Sequence, residues 1–239
     1  MEHAFDHLII GAGMAGAAAA VALRQADAKA SIALLGAEAH PPYDRPPLSK
    51  ALWKDGQEAD IWRPIQDARA TLQLGRRAVA IDRAAHTVRD DAGDTWRYRK
   101  LLLATGGAAR TLPFGEGFIY LRTLDDYRRL RQAVKPGARA VVIGGGFIGS
   151  EIAAALTLNG ARVSMLFPEA AIGARAYPKA LADSVTAYYR DKGVDVRAGV
   201  SVNGARGNTL ELTDGSTLAT DVVVAGLGIT PNVQLAQDA

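Results

Sequence analysis

Two glycine clusters carry the residues best suited to chemistry in this chain. Gly11–Gly16 reads GAGMAG and Gly144–Gly149 reads GGGFIG. Each follows an apolar run, 7–10 in one case and 140–143 in the other, and each opens an alanine-rich stretch that predicts a helix. Glycines at this spacing permit a tight turn, bring backbone close to a pyrophosphate and let the helix lie against the sheet. The helix N-terminus then aims its free N–H groups at the anion. One such cluster is a weak signal. Two in strand–turn–helix context predict one chain that holds two dinucleotides, and the chemistry this suggests is hydride transfer from a nicotinamide to a flavin.

An acid at the end of the second strand of each unit should hold an adenosine ribose through its hydroxyls. In the second unit the strand ends Leu166-Phe167-Pro168-Glu169, which makes Glu169 the candidate. Two like charges about 4 Å apart at an effective dielectric near 20 cost roughly 4 kcal/mol. A carboxylate there therefore repels a 2′-phosphate and favours NADH over NADPH. Arg175 is the counter-signal, because it could meet that phosphate instead. In the first unit the strand ends Leu35-Gly36-Ala37-Glu38, and Glu38 is the acid in reach.

The loop Pro42-Tyr43-Asp44-Arg45-Pro46-Pro47-Leu48-Ser49-Lys50 places an arginine and a lysine in a stiff frame. Its prolines lower the entropy lost on fixing Arg45 and Lys50, which suits a pyrophosphate and a flavin ring. A solvated surface turn is the plainer reading. Glu151 lies in the first turn after the second cluster. The helix dipole alone favours a carboxylate there. Beside a phosphate loop it also calls for a cationic partner, with Lys50 the candidate, and the residues by themselves leave both readings open.

Composition removes other chemistries. The chain of 239 residues has no Cys, so it has no disulfide, thiolate nucleophile or CxxC pair. His3, His7, His40 and His86 show no ligand spacing, and no metal site is expected. The formal charge is only +3, with no basic stripe interleaved with aromatics, which argues against nucleic acid. The start MEHAFDHL lacks the basic region of a secretory signal. The apolar run 8–23 is too short to span a bilayer. A soluble, cytoplasmic protein without a membrane association is the expectation.

The elements that must position these residues repeat in order. Strand 7–10, helix 14–25 and strand 31–35 are followed by the proline-rich loop 41–47, predicted to lack regular structure. Residues 72–98 alternate like an inserted antiparallel meander with a turn at 90–93, before a short buried strand 101–104. The second unit runs strand 140–143, helix 147–159, strand 161–167, helix 178–192 and strand 194–198. It continues with a meander over 200–219 that turns at Asp214-Gly215, and ends in strand 222–225. The fold class is α/β: two Rossmann-like units, each with an inserted meander, with domains at 1–113 and 114–239. The shared plan reads as an internal duplication. Trp53, Trp62 and Trp96 are assigned to packing.

Taken together, GAGMAG, PYDRPPLSK, LLLATGG, GGGFIGSE and AGLGITPN resemble the FAD-dependent pyridine nucleotide-disulfide oxidoreductases, whose fold is that of glutathione reductase. RPPLSKALW and GGGFIGSEIA followed by LFPE look most like the branch of bacterial ferredoxin reductases and apoptosis-inducing factor. The resemblance implies FAD in the first unit and NAD in the second. It implies FAD contacts from Gly11, Gly13, Met14, Ala15, Gly16, Glu38, Arg45, Lys50, Val79, Ala104, Thr105, Gly106 and Arg122. It implies NAD contacts from Gly145, Gly146, Phe147, Ile148, Gly149, Glu169, Arg175 and Gly228. It also implies a catalytic Lys50–Glu151 pair near the flavin N5, with nicotinamide stacked on the flavin.

The activity so implied is NADH oxidation with electrons passed to a ferredoxin-like iron–sulfur acceptor. The alternatives are a redox-sensing interaction protein like apoptosis-inducing factor and an inert dinucleotide-binding fragment. The chain departs from the family pattern in two ways. Relatives carry the ribose acid where Ala37 stands here, and they continue past Pro231-Asn232 into a Gly-Asp segment and a C-terminal domain. The first domain is thus expected to lack its return segment, to hold FAD weakly and to expose apolar surface that promotes association, including a homodimer.

Overall fold

In the computed structural model, which describes residues 1–239, the first apolar run ends a longer strand, β1 (Glu2–Ile10). It leads into α1 (Met14–Ala26), β2 (Ile32–Gly36), β3 (Thr71–Leu74), β4 (Ala78–Asp82), β5 (Thr87–Asp90) and β6 (Thr95–Leu103). These strands form one sheet in the order β3-β2-β1-β6-β5-β4. β3, β2, β1 and β6 run parallel, whereas β6-β5 and β5-β4 pair antiparallel. α1 packs Ala17 and Ala20 onto Ile9, Ile32 and Leu34, small residues against large ones. On the other face Leu8, Ile10 and Leu35 meet Val88, Trp96 and Tyr98.

The meander is therefore not separate from the main sheet. Its last strand and the apolar strand expected at 101–104 are one nine-residue strand, β6, because β1 is long enough to pair along all of it. Nor is that strand's end buried: Leu102 is 41% exposed and Leu103 is also exposed. A cleft of about 440 Å³ lies here, lined by Leu8, Ile9, Ala22, Leu23 and Leu102 among others. Asp90 ties the meander turn by accepting from the Trp96 indole and the N–H groups of Ala92 and Asp94. Burial works against its charge, and these bonds with Arg76 outweigh it, holding the carboxyl below its ordinary value.

After β7 (Gly107–Ala109) the second unit begins. It contains β8 (Ile119–Tyr120), α2 (Leu124–Ala133), β9 (Arg139–Ile143), α3 (Phe147–Leu158), β10 (Arg162–Phe167), α4 (Lys179–Asp191) and β11 (Asp195–Ala198). Next come β12 (Val202–Arg206), β13 (Thr209–Leu212), β14 (Thr217–Ala219), β15 (Val222–Ala225) and β16 (Ile229–Pro231), and α5 (Gln234–Gln237) closes the chain. A parallel sheet runs β11-β10-β9-β15-β8, and the second meander is a three-stranded sheet of its own. α2 was not anticipated, although Thr123 and Asp126 form a capping box at its start. β7 and β16 pair as a two-stranded ribbon.

The chain divides differently from the bounds 1–113 and 114–239. One unit takes Met1–Asp44, Glu58–Ala108 and Pro231–Ala239, and the other takes Arg45–Gln57 and Ala109–Thr230. The proline-rich loop explains part of this difference. Pro46–Ser49 is a 3-10 helix, not irregular chain, since proline is tolerated in a helix's first turn. It buries Leu48, Leu52 and Trp53 within the second unit. Tyr127 donates its hydroxyl to the Leu52 carbonyl and meets the Trp53 ring edge-on. At the far end α5 returns Leu235 to the core of the first unit.

Candidate functional site

The first fingerprint sits where β1 turns into α1. Gly11 has φ +116, and its N–H bonds the Leu35 carbonyl at 2.7 Å. A Cβ at Gly11 would come 2.1 Å from the Ala104 carbonyl oxygen, and one at Gly16 would come 1.9 Å from the Gly11 carbonyl oxygen. Only glycine permits these crossings, so α1 starts in contact with the strand end. Gly13 differs, because nothing lies within 4 Å of where its Cβ would stand. It is the N-cap of α1 in extended conformation, and no side chain caps the helix. The first N–H groups of α1, at Met14, Ala15 and Gly16, are thus without a side-chain cap beside the open space at Gly13, the arrangement that takes an anion.

Around this cradle the structure gathers most of the other first-unit candidates. The Ala104 N–H bonds the Ile10 carbonyl at 2.8 Å. Thr105 donates its hydroxyl to the Asn232 carbonyl at 2.7 Å, and the Asn232 amide returns a bond to the Thr105 carbonyl at 2.8 Å. The Asn232 N–H also bonds the Gly106 carbonyl at 3.0 Å. Asn232 thereby clasps the Thr105-Gly106 turn. The motif ending in TPN was its only signal. Glu38 follows β2 and accepts the Tyr43 hydroxyl at 2.6 Å. The Gly75 N–H bonds the Glu38 carbonyl, so the β3–β4 connection leading to exposed Val79 borders it.

The second fingerprint repeats the first. Gly144 has φ +118, a Cβ at Gly149 would come 1.9 Å from the Gly144 carbonyl oxygen, and Gly146 again faces open space. Gly146 is an extended N-cap of α3 with no side-chain cap. The Gly145 carbonyl accepts the Gly173 N–H at 2.7 Å, which ties the segment carrying Arg175 to the fingerprint. Phe147 and Ile148 are exposed at the helix start, with Phe147 edge-on to Tyr177. Gly228 has φ +86, and its carbonyl accepts the Arg110 N–H.

Glu169 and Arg175, posed by the sequence as rivals, form an ion pair at 2.5 Å. The glutamate side chain is 21% exposed and the arginine 81%. The carboxylate is the more buried partner and the guanidinium the more exposed one.

Arg45, Lys50 and Arg122 belong to the second unit rather than the first. Arg45 donates to the Arg122 carbonyl at 2.6 Å. The Lys50 ammonium lies 2.9 Å from Glu151 Oε1. Glu151 Oε2 accepts the Ser49 hydroxyl at 2.6 Å, a contact the sequence reading missed although Ser49 stands beside Lys50 in the quoted motif. The Tyr189 hydroxyl donates to the Ser150 carbonyl, and burial pushes that phenol's pKa up, with the Glu151 charge adding to the effect.

Residues 5–239 match the family described as pyridine nucleotide-disulphide oxidoreductase. The chain belongs to this family. It is 41% identical, over 97% of its length, to the ferredoxin--NAD(+) reductase component of the anthranilate 1,2-dioxygenase system of Burkholderia cepacia. Among solved structures it is similar to the covalent putidaredoxin reductase–putidaredoxin complex, at TM-score 0.91 and 32% identity over 97% of this chain. It is also similar to the ferredoxin reductase for the CYP199A2 system from Rhodopseudomonas palustris, at TM-score 0.90 and 36% identity over 97% of this chain. The chain spans 60% of the first two of these relatives and 61% of the third. Its fold is accordingly the α/β fold of FAD- and NAD-binding reductases with Rossmann-like units. No helix is long and apolar enough to cross a membrane.

Proposed function

We propose that this chain binds the cofactors of an NADH-dependent flavoprotein reductase, with FAD in the first unit and NADH in the second. The electron acceptor is a ferredoxin-like iron–sulfur protein. The observation that carries this reading is the duplicated cradle: two uncapped helix starts, each behind a glycine crossing, each with open space at Gly13 or Gly146. A side chain would fill that space, and a pyrophosphate fits it. The names of the similar reductases support the choice of acceptor.

FAD, when bound, would supply hydride-accepting and one-electron chemistry. The chain's own residues hold and orient. Backbone N–H groups of residues 14–16 and 147–149 receive the two pyrophosphates, and Glu38 and Glu169 receive ribose hydroxyls. Phe147 and Ile148 shield the ligand from water. Lys50, steadied by Glu151 at 2.9 Å, is the proposed catalytic cation. With no Cys among these residues, no thiol of this chain relays the electrons. The proposed setting is the cytoplasm. Exposed Leu102 and Leu103 support association of the chain as a homodimer, which sedimentation measures.

The test is spectroscopic. The protein, supplied with FAD, should show a bound-flavin spectrum that NADH bleaches and that an added [2Fe–2S] ferredoxin restores. Binding of NADH without any flavin binding would refute the assignment of the first unit.

A further inference from the structure

We propose that Ser49 is a positioning residue that fixes the Glu151 carboxylate and, through it, the Lys50 ammonium. Three side chains from two segments meet at one carboxylate. Lys50 reaches Oε1 at 2.9 Å and Ser49 Oγ reaches Oε2 at 2.6 Å. Their exposures differ greatly. The Lys50 side chain is 54% exposed and that of Glu151 25%, while Ser49 is only 4% exposed as a residue. An ion pair between a half-exposed lysine and a partly exposed glutamate gains little by itself, because holding two long side chains in one geometry costs entropy. A buried serine has one short rotor to fix, and a hydroxyl donated to a carboxylate is a charge-assisted bond.

The loop makes this arrangement available. Pro46 and Pro47 set the backbone of the 3-10 helix that ends at Ser49, and the Lys50 N–H closes it on the Pro47 carbonyl at 3.1 Å. The Ser49 hydroxyl has one proton. At 2.6 Å from Glu151, against 3.4 Å from the Pro46 carbonyl, that proton goes to the carboxylate. Oε2 is thereby occupied, Oε1 is left for Lys50, and the remaining ammonium protons stay available for a ligand. Neighbouring residues of one loop thus divide the task. Ser49 orients the anion, and Lys50 presents the cation.

That this ammonium serves a flavin rests on the function proposed above; that Ser49 places it does not. The two are separated by measuring Lys50 first without any cofactor. Competitive acylation read by mass spectrometry reports how often the Lys50 amine is free of its partner. Ser49→Ala should speed labelling of Lys50 about ten-fold, the scale of one charge-assisted hydrogen bond lost. Ser49→Thr, which keeps the hydroxyl, should restore the slow rate. Glu151→Gln should speed it as well, and Ser49→Ala added to Glu151→Gln should change nothing further. Unchanged labelling in Ser49→Ala, or an effect that persists in the Glu151→Gln background, would overturn the proposal. In the flavin-loaded protein the same variants should shift the flavin reduction potential. Altered labelling with a constant potential would leave Ser49 in its role and refute the flavin-facing role of Lys50.

Discussion

The Glu169–Arg175 pair makes nucleotide choice a quantitative matter. A bare carboxylate about 4 Å from a 2′-phosphate would oppose it by roughly 4 kcal/mol per unit charge at an effective dielectric near 20. Arg175 reduces that figure because it sits 2.5 Å from the same carboxylate. It does not cancel it: at 81% exposure the guanidinium is screened by water, and such pairs contribute about 0–1 kcal/mol. Glu169, at 21% exposure, is the better fixed charge, so its preference dominates. The chain should bind NADH more tightly than NADPH. Glu169→Gln should narrow the gap by about 1–3 kcal/mol, roughly five- to 150-fold in the ratio of dissociation constants. Arg175→Ala should widen the gap by about 0–1 kcal/mol. Titration of nicotinamide fluorescence with both nucleotides measures all three proteins. NADPH preferred by the wild type, or a ratio unmoved by Glu169→Gln, would refute the reasoning.

The glycines make a second contrast. Gly149→Ala places a Cβ 1.9 Å from a backbone oxygen and should destabilise the chain by about 1–3 kcal/mol, read as a lower Tm. Gly146→Ala meets nothing within 4 Å, so the fold should persist while NADH affinity falls, as calorimetry would show. Acid sensitivity is a third expectation. Hydrogen bonds from Arg139 hold Asp221 at about 2, and bonds from Ser31 and Arg99 do the same for Asp6. Both carboxyls titrate below their ordinary values, so their contribution is complete above about pH 4 and is lost as pH falls towards 2. Denaturant midpoints measured across that range should drop, and Asp221→Asn should flatten part of the decline.

Much of this fold could be read in the sequence because local chemistry and tertiary structure agree at the fingerprints. Gly11, Gly16, Gly144 and Gly149 are required by steric contacts that no other residue permits, so their spacing reports geometry directly. The strands beside them are buried on both faces and read as unbroken apolar runs. What escaped depends on pairing between distant segments. The 101–104 strand gave no sign that it continued from Thr95, because its length is set by β1 across the sheet. The Tyr43 bond to Glu38, the Asn232 clasp on Thr105 and the Ser49 bond to Glu151 join residues whose meeting no periodicity encodes. Glu169 and Arg175 were both singled out, but their pairing depends on how the 170–176 segment folds back.

The way the chain is threaded bears on how it must be made. Leu48, Leu52 and Trp53 emerge from the ribosome well before the rest of the unit they belong to, and Leu235 packs, partly buried, against the core of the first unit from far along the chain. The apolar groups of the 45–57 segment must therefore wait for partners that are synthesised much later. A piece cut at 108/109 would separate Trp53 from Tyr127 and would expose both. A single cut there would also leave the second unit without the 45–57 segment that carries Leu48, Leu52 and Trp53.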